Sequence, residues 1–171
     1  MDGTHTVQVA AEVTQRVWAN QIKALADHHI LLEGCLLKPN MVRSGEKCPT
    51  PCSIDDIAKW TVKTLSNTIP PAIPGINFLS GGMSEEEATL ALNAINSVPG
   101  KKPWTLSFSY GRALQVTVIK TWAGKDENIA KAQEALITRA KANSLACKGQ
   151  YKGGAGGAAA HQSTFEAKYT Y

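Results

Sequence analysis

The chain has 171 residues, 43% of them hydrophobic and 19% charged, with a formal net charge of +4. That balance excludes a disordered chain, and the length suits one domain with a sizeable core. The 18 basic residues are scattered among 14 acids. Lys101, Lys102, Lys120, Lys125, Lys131, Arg139, Lys141, Lys148 and Lys152 therefore read as solvated surface, and no basic and aromatic stripe marks a nucleic-acid partner. Each long apolar stretch is broken well short of a bilayer span, so no membrane partner is expected. Met1–His5 lacks the basic and apolar regions of a secretory signal, Tyr169–Tyr171 is no targeting tail, and a cytoplasmic location is the expectation.

Val9, Val13, Val17, Trp18, Ile22 and Leu25 recur at helical spacing, predicting a helix over about Val9 to Ala26. The apolar run Ile30–Leu37 predicts a buried strand, closed by Lys38 and stopped by Pro39. Met41–Cys52 is a loop holding Cys48 and Cys52, a C-x3-C without a second ligand pair, so free thiols are expected. Ser53 caps a second helix with Asp55 and Asp56 in its first turn, ending before Pro70. Gly75–Ser80 is the second strand. Ser84 with Glu87 forms a capping box for a third helix that runs to about Val98. Pro103–Ser109 is the third strand, leading into a helix toward Trp122. Asp126 is expected to cap a final helix from Glu127 to Lys148. From Lys152 to Ala160 glycine and alanine dominate, which predicts a flexible linker.

Helices alternate with short apolar strands, in the order α-β-α-β-α-β-α-α. Crossovers of that length allow parallel pairing, so the expected class is α/β with a parallel sheet. Ligands gather at the C-terminal ends of such strands. Three ends carry chemistry. Lys38 closes the first, where loss of water would lower an amine's pKa and prepare it to attack a carbonyl. Ser80, Gly81 and Gly82 follow the second, and Gly111 and Arg112 follow the third. Glycines there let backbone N–H groups approach an anion near a helix N-terminus, and Arg112 adds a guanidinium fork. Glu33 reads as a mid-strand ion-pair partner, and Trp104 and Phe78 as core.

The string Leu31-Leu32-Glu33-Gly34-Cys35-Leu36-Leu37-Lys38-Pro39-Asn40 resembles the signature of class I fructose-bisphosphate aldolases. Asp27-His28-His29-Ile30, Phe78–Ala88, Lys102-Pro103-Trp104, Ser107–Gln115, Ala142–Cys147 and the Gly/Ala-rich tail ending in tyrosine are similar to that family in its order. The resemblance implies that Lys38 is the Schiff-base nucleophile and that Tyr171 takes part in proton transfer at carbon. It implies a substrate phosphate held by Leu79, Ser80, Gly81, Gly111 and Arg112. It implies a sugar-phosphate substrate, no metal and no cofactor, because the iminium is the electron sink, and a homotetramer for the full-length protein. The implied fold is an eight-stranded parallel (β/α)8 barrel, of which residues 1–150 resemble the last three βα units plus C-terminal helices, with 151–171 a flexible tail.

The family's two strand-borne glutamates, its second lysine and its first-strand aspartate have no counterpart in this sequence. The expectation is a glycolytic lyase cleaving fructose 1,6-bisphosphate to dihydroxyacetone phosphate and glyceraldehyde 3-phosphate, present as a fragment with little activity alone and with open sheet edges. The alternative is a non-catalytic aldolase-like module that binds phosphate or a protein partner.

Overall fold

The computed structural model describes residues 1–169. Eight elements follow in the expected order: α1 (Val7–Asp27), β1 (Leu36–Leu37), α2 (Ile54–Thr68), β2 (Gly75–Phe78), α3 (Glu85–Ser97), β3 (Thr105–Phe108), α4 (Arg112–Trp122) and α5 (Ile129–Ala146). The strands form one parallel sheet in the order β1-β2-β3, with Leu36 opposite Gly75 and Phe78 opposite Phe108. Each crossover is a helix, as parallel neighbours require.

β2 lies between the other two strands, and Ile76 and Phe78 are fully buried there. Leu65, Leu92 and Ile95 of the packed pair α2 and α3 close the same core. Trp104 is buried beside them and donates its indole N–H to the Pro70 carbonyl at 3.1 Å.

The caps show why the helices start where they do. Ser53 accepts from the Asp56 N–H, and the Asp56 carboxylate accepts from the Ser53 N–H, a complete capping box. The Ser53 hydroxyl also donates to the Asp56 carboxylate at 2.7 Å, and this bond first, then the one from the Ser53 N–H, holds the Asp56 carboxyl below its ordinary pKa. At α3, Ser84 accepts from the Glu87 N–H at 3.1 Å, the half of the expected box that is made.

Four expectations need correction. The first strand is two residues long, because Leu32–Gly34 turn as a 3-10 helix. Among the described residues β1 has a neighbour on one side only, and Ile30, Leu31 and Leu36 stay 45%, 69% and 65% exposed rather than buried. An apolar run implies burial only where both faces are covered. Glu33 sits exposed in that turn, not in a strand. Asp126 does not cap α5: Asp126–Asn128 form a 3-10 turn, and the helix opens at Ile129. Arg139, read as solvated, is 1% exposed. Between α1 and β1 a cavity of about 350 Å³ is lined by Trp18, Ile22, Leu25, Leu36, Ile69 and Ile73.

The glycine and alanine segment holds defined contacts. Tyr151 donates its hydroxyl to the Glu86 carboxylate, Gly154 N–H donates to Glu86 Oε1 at 2.9 Å, and Arg139 donates to the Ala155 carbonyl at 2.6 Å. Among the described residues no helix is long and apolar enough to cross a membrane.

Candidate active site

The C-terminal ends of the three strands stand side by side. Past β1, the Leu79 N–H donates to the Pro39 carbonyl at 3.0 Å, and Asn40 forms a parallel bridge with Leu79. The chain leaving Lys38 thus touches the chain entering Ser80. Past β2, the Ser109 N–H donates to the Phe78 carbonyl at 2.9 Å, so the loop to Gly111 begins beside the same segment. With neighbouring strands ~4.8 Å apart, the first and third ends are separated by roughly 10 Å.

Lys38 follows β1 directly and is exposed. The expected burial of its amine is not present, because β1 is an edge strand and no described strand pairs with its outer side. Its ammonium makes no hydrogen bond or ion pair with a described residue.

The loop after β2 is built around two glycines. Gly81 and Gly82 have φ of +60° and +83°, the left-handed region where a Cβ is penalised. Space forbids a side chain as well: a Cβ on Gly81 would come within 2.3 Å of Asn40 Oδ1, and one on Gly82 within 3.0 Å of Phe165 Cα. Ser80 is 8% exposed, and its carbonyl accepts from the Met83 N–H. The turn delivers the chain to Ser84 and the N-terminus of α3. Gly111 is the N-cap of α4, and a Cβ there would meet nothing within 4 Å. Open space over a helix N-terminus is where an anion is favoured.

Arg112 opens α4 beside that space. Its Nη1 lies 3.4 Å from Glu166 Oε1, and its guanidinium carbon lies 4.6 Å from the Tyr169 ring centroid. Two buried polar atoms at these strand ends make no hydrogen bond with a described residue: Asn40 Oδ1 and Arg112 Nη1. Native proteins pair buried polar atoms almost everywhere, so these two stand out, as does Arg139 Nε in the core, and at the strand ends each has capacity left for a ligand.

The whole of residues 1–171 matches the family model for glycolytic class-I fructose-bisphosphate aldolase. The chain belongs to the class-I fructose-bisphosphate aldolase family. It is 58% identical over 170 residues to fructose-bisphosphate aldolase 2 of Plasmodium berghei, covering 99% of this chain and 46% of that one. It is 58% identical over 173 residues to the cytoplasmic isozyme of Spinacia oleracea, covering 100% and 48%. Among solved structures, the fructose-bisphosphate aldolase of Plasmodium falciparum, crystallised with TRAP and a small-molecule inhibitor, superposes with a TM-score of 0.87 at 56% identity. That match covers 90% of this chain and 44% of the other. The chain thus spans about half the length of the curated aldolases it matches.

Of the residues singled out from sequence, Lys38, Leu79, Ser80, Gly81, Gly111 and Arg112 fall on three adjacent strand ends of this aldolase-family chain. Tyr171 lies outside the described residues. Sequence reasoning missed Asn40, Phe165, Glu166 and Tyr169. Asn40 carried a usable signal, standing two residues beyond the lysine in a strand-end turn. Glu166 carried none, because its place over Arg112 is a tertiary contact.

Proposed function

We propose that this chain carries the carbonyl-attacking lysine and one phosphate site of a glycolytic fructose-bisphosphate aldolase. The reaction is cleavage of fructose 1,6-bisphosphate to dihydroxyacetone phosphate and glyceraldehyde 3-phosphate. The observation that carries the reading is the row of adjacent parallel strand ends bearing Lys38, then Ser80 and Gly81, then Gly111 and Arg112.

In this reading the neutral Lys38 amine adds to the ketose carbonyl, forming a C–N bond, and the carbonyl oxygen leaves as water. The iminium takes up the electron pair of the breaking C3–C4 bond, so no metal or cofactor is required. The phosphate accepts from the Ser80–Gly81 and Gly111 backbone, with Leu79 beside it, and from the Arg112 guanidinium. Tyr171 serves the proton transfer at carbon.

The three strands are read as consecutive members of an eight-stranded (β/α)8 barrel, with residues 1–150 its C-terminal part and 151–171 the tail. The exposed Leu36 edge and the apolar cavity behind it support that reading, since a further strand and helix would cover both. The remaining half of the barrel would also desolvate Lys38 and supply the acid and base. A sugar-phosphate substrate, a homotetramer and a cytoplasmic location, the last in line with the naming of the spinach relative, complete the proposal.

The test is to combine the chain with the segment of the Plasmodium berghei aldolase that it does not cover, then add dihydroxyacetone phosphate and borohydride. Peptide mapping is expected to find the reduced adduct on Lys38 and none in Lys38→Ala. An adduct elsewhere, or cleavage that survives Lys38→Ala and dies with EDTA, rejects the Schiff-base mechanism. The exposure of Lys38 favours a second reading, a phosphate-binding module without turnover. Phosphate binding with no adduct under these conditions would select it.

A further inference from the structure

Arg112 is already engaged by an anion of its own chain. The segment that brings Glu166 and Tyr169 to it is fastened just upstream. Thr164 N–H donates to the Gly82 carbonyl at 3.1 Å, and Thr164 Oγ1 donates to the Met83 carbonyl at 2.8 Å. Ser163 Oγ donates to the Gly82 carbonyl at 3.4 Å, and Phe165 lies against Gly82. Further on, the Lys168 N–H donates to Asp2 Oδ2 at 3.3 Å. Residues 163–169 therefore bridge both loops of the proposed phosphate site.

We infer that Glu166 is an internal placeholder anion at Arg112, which a substrate phosphate must displace, so that Glu166 sets the affinity and anion selectivity of the site. The inference rests on the phosphate-site reading above. Three features make the contact displaceable. At 3.4 Å it is longer than the ~2.7–2.9 Å of a well-made charge-assisted bond. The Glu166 side chain is 62% exposed, so solvent screens the pair. Arg112 Nη1 is buried and still lacks a hydrogen bond, so the guanidinium gains from a better partner. A phosphate dianion brings more charge than one carboxylate and can also accept from the loop backbone. The anchors at Thr164 and Phe165 touch Gly82 and Met83 rather than Arg112, so they can remain as a pivot while residues beyond them leave. By linkage, the phosphate loosens the Glu166 segment by the same factor by which that segment weakens the phosphate.

Fructose 1,6-bisphosphate and, separately, inorganic phosphate are titrated by calorimetry into the chain and into Glu166→Gln, Arg112→Ala and the double variant. Tryptic cleavage after Lys168 is followed by mass spectrometry in parallel. Glu166→Gln is expected to tighten binding roughly two- to fivefold, the range for one exposed ion pair. The gain should vanish in the Arg112→Ala background. Bisphosphate should accelerate cleavage after Lys168 in the unsubstituted chain, whereas Glu166→Gln should be cleaved fast without it. Binding that depends on Arg112 but is unchanged by Glu166→Gln overturns the placeholder and leaves the phosphate site standing. A cleavage rate indifferent to bisphosphate overturns displacement. Binding indifferent to Arg112→Ala rejects the phosphate site, and the placeholder with it.

Discussion

Arg139 and Arg112 both face a carboxylate, and their surroundings could hardly differ more. Arg139 is 1% exposed on α5 and donates to the Glu85 carbonyl, Thr89 Oγ1 and the Ala155 carbonyl, with Glu86 as its ion partner. Glu86 is itself buried and accepts from Tyr151 and Gly154. Thr89 and Asn143 extend the cluster, and Glu85 accepts from Thr117. Apart from Arg139 Nε, the cluster's polar atoms find partners within the chain. Arg112 sits 29% exposed, with a long ion-pair contact to Glu166, the Tyr169 ring 4.6 Å away and no hydrogen bond on Nη1, beside open space over Gly111. A buried charge whose bonds are met by its own chain is part of the scaffold. A charge left short of partners beside open space is available to a ligand. Sign and residue type are the same in both places; burial and the number of partners separate them.

The sharpest way to break this contrast is to truncate each arginine. Arg139→Ala leaves Glu86 buried without its counter-charge, and removing one partner of a buried pair costs about 3–5 kcal/mol. Urea unfolding should show a loss of that size, or no cooperative transition at all. Arg112→Ala should change stability by less than about 1 kcal/mol, as for exposed pairs generally. Equal losses from the two would mean that Arg112 is scaffold as well.

A smaller effect is expected in binding. Arg112→Ala should weaken a ketose-bisphosphate analogue by about 1.5–3 kcal/mol, the range for a hydrogen bond to a charged group. Arg139→Lys, where folded, should leave that affinity unchanged, since Arg139 faces the cluster between α3 and α5. An inhibition constant unaffected by Arg112→Ala would remove Arg112 from the site.

The order of elements and the parallel sheet were legible because each helix and strand carries its own period and stop signal. Ser53 and Ser84 mark helix starts, and Pro70 and Pro99 mark helix stops, through local chemistry. The length of β1 was not legible, since an edge strand and a central one can share the same apolar run and differ only in what lies alongside. The placement of Lys38, the glycine pair and Gly111–Arg112 at the strand ends was readable because strand ends and left-handed turns leave a residue-type signature. The buried role of Arg139 and the approach of Glu166 to Arg112 join positions 53 and 54 residues apart. No period or spacing encodes such pairings, and an arginine on a helix rich in lysine and alanine looks like its solvated neighbours.

The weakest expected effect probes the closed region from its edge and depends on pH. Burial first, then the hydrogen bond to Glu86, raises the pKa of Tyr151, and burial raises that of Tyr110, whose hydroxyl donates to the Ala88 carbonyl at 2.9 Å. A phenol whose folded pKa lies above its unfolded value of ~10 holds its proton more tightly in the folded chain. Its stabilising contribution is complete below about pH 10 and is lost as pH rises through the folded value. Tyr151→Phe removes a donor from Glu86 and should cost about 1.5 kcal/mol at pH 8. It should also remove one source of alkaline sensitivity, so the difference from the unsubstituted chain should narrow between pH 8 and pH 10.5. Lysines titrate in the same window in both proteins, which is why the difference between them, rather than either curve, carries the information. Urea midpoints at the two pH values measure it. A gap that stays constant would show that the Tyr151 phenol is not titrating with unfolding, and that its contact with Glu86 contributes packing rather than a proton held by the closed cluster.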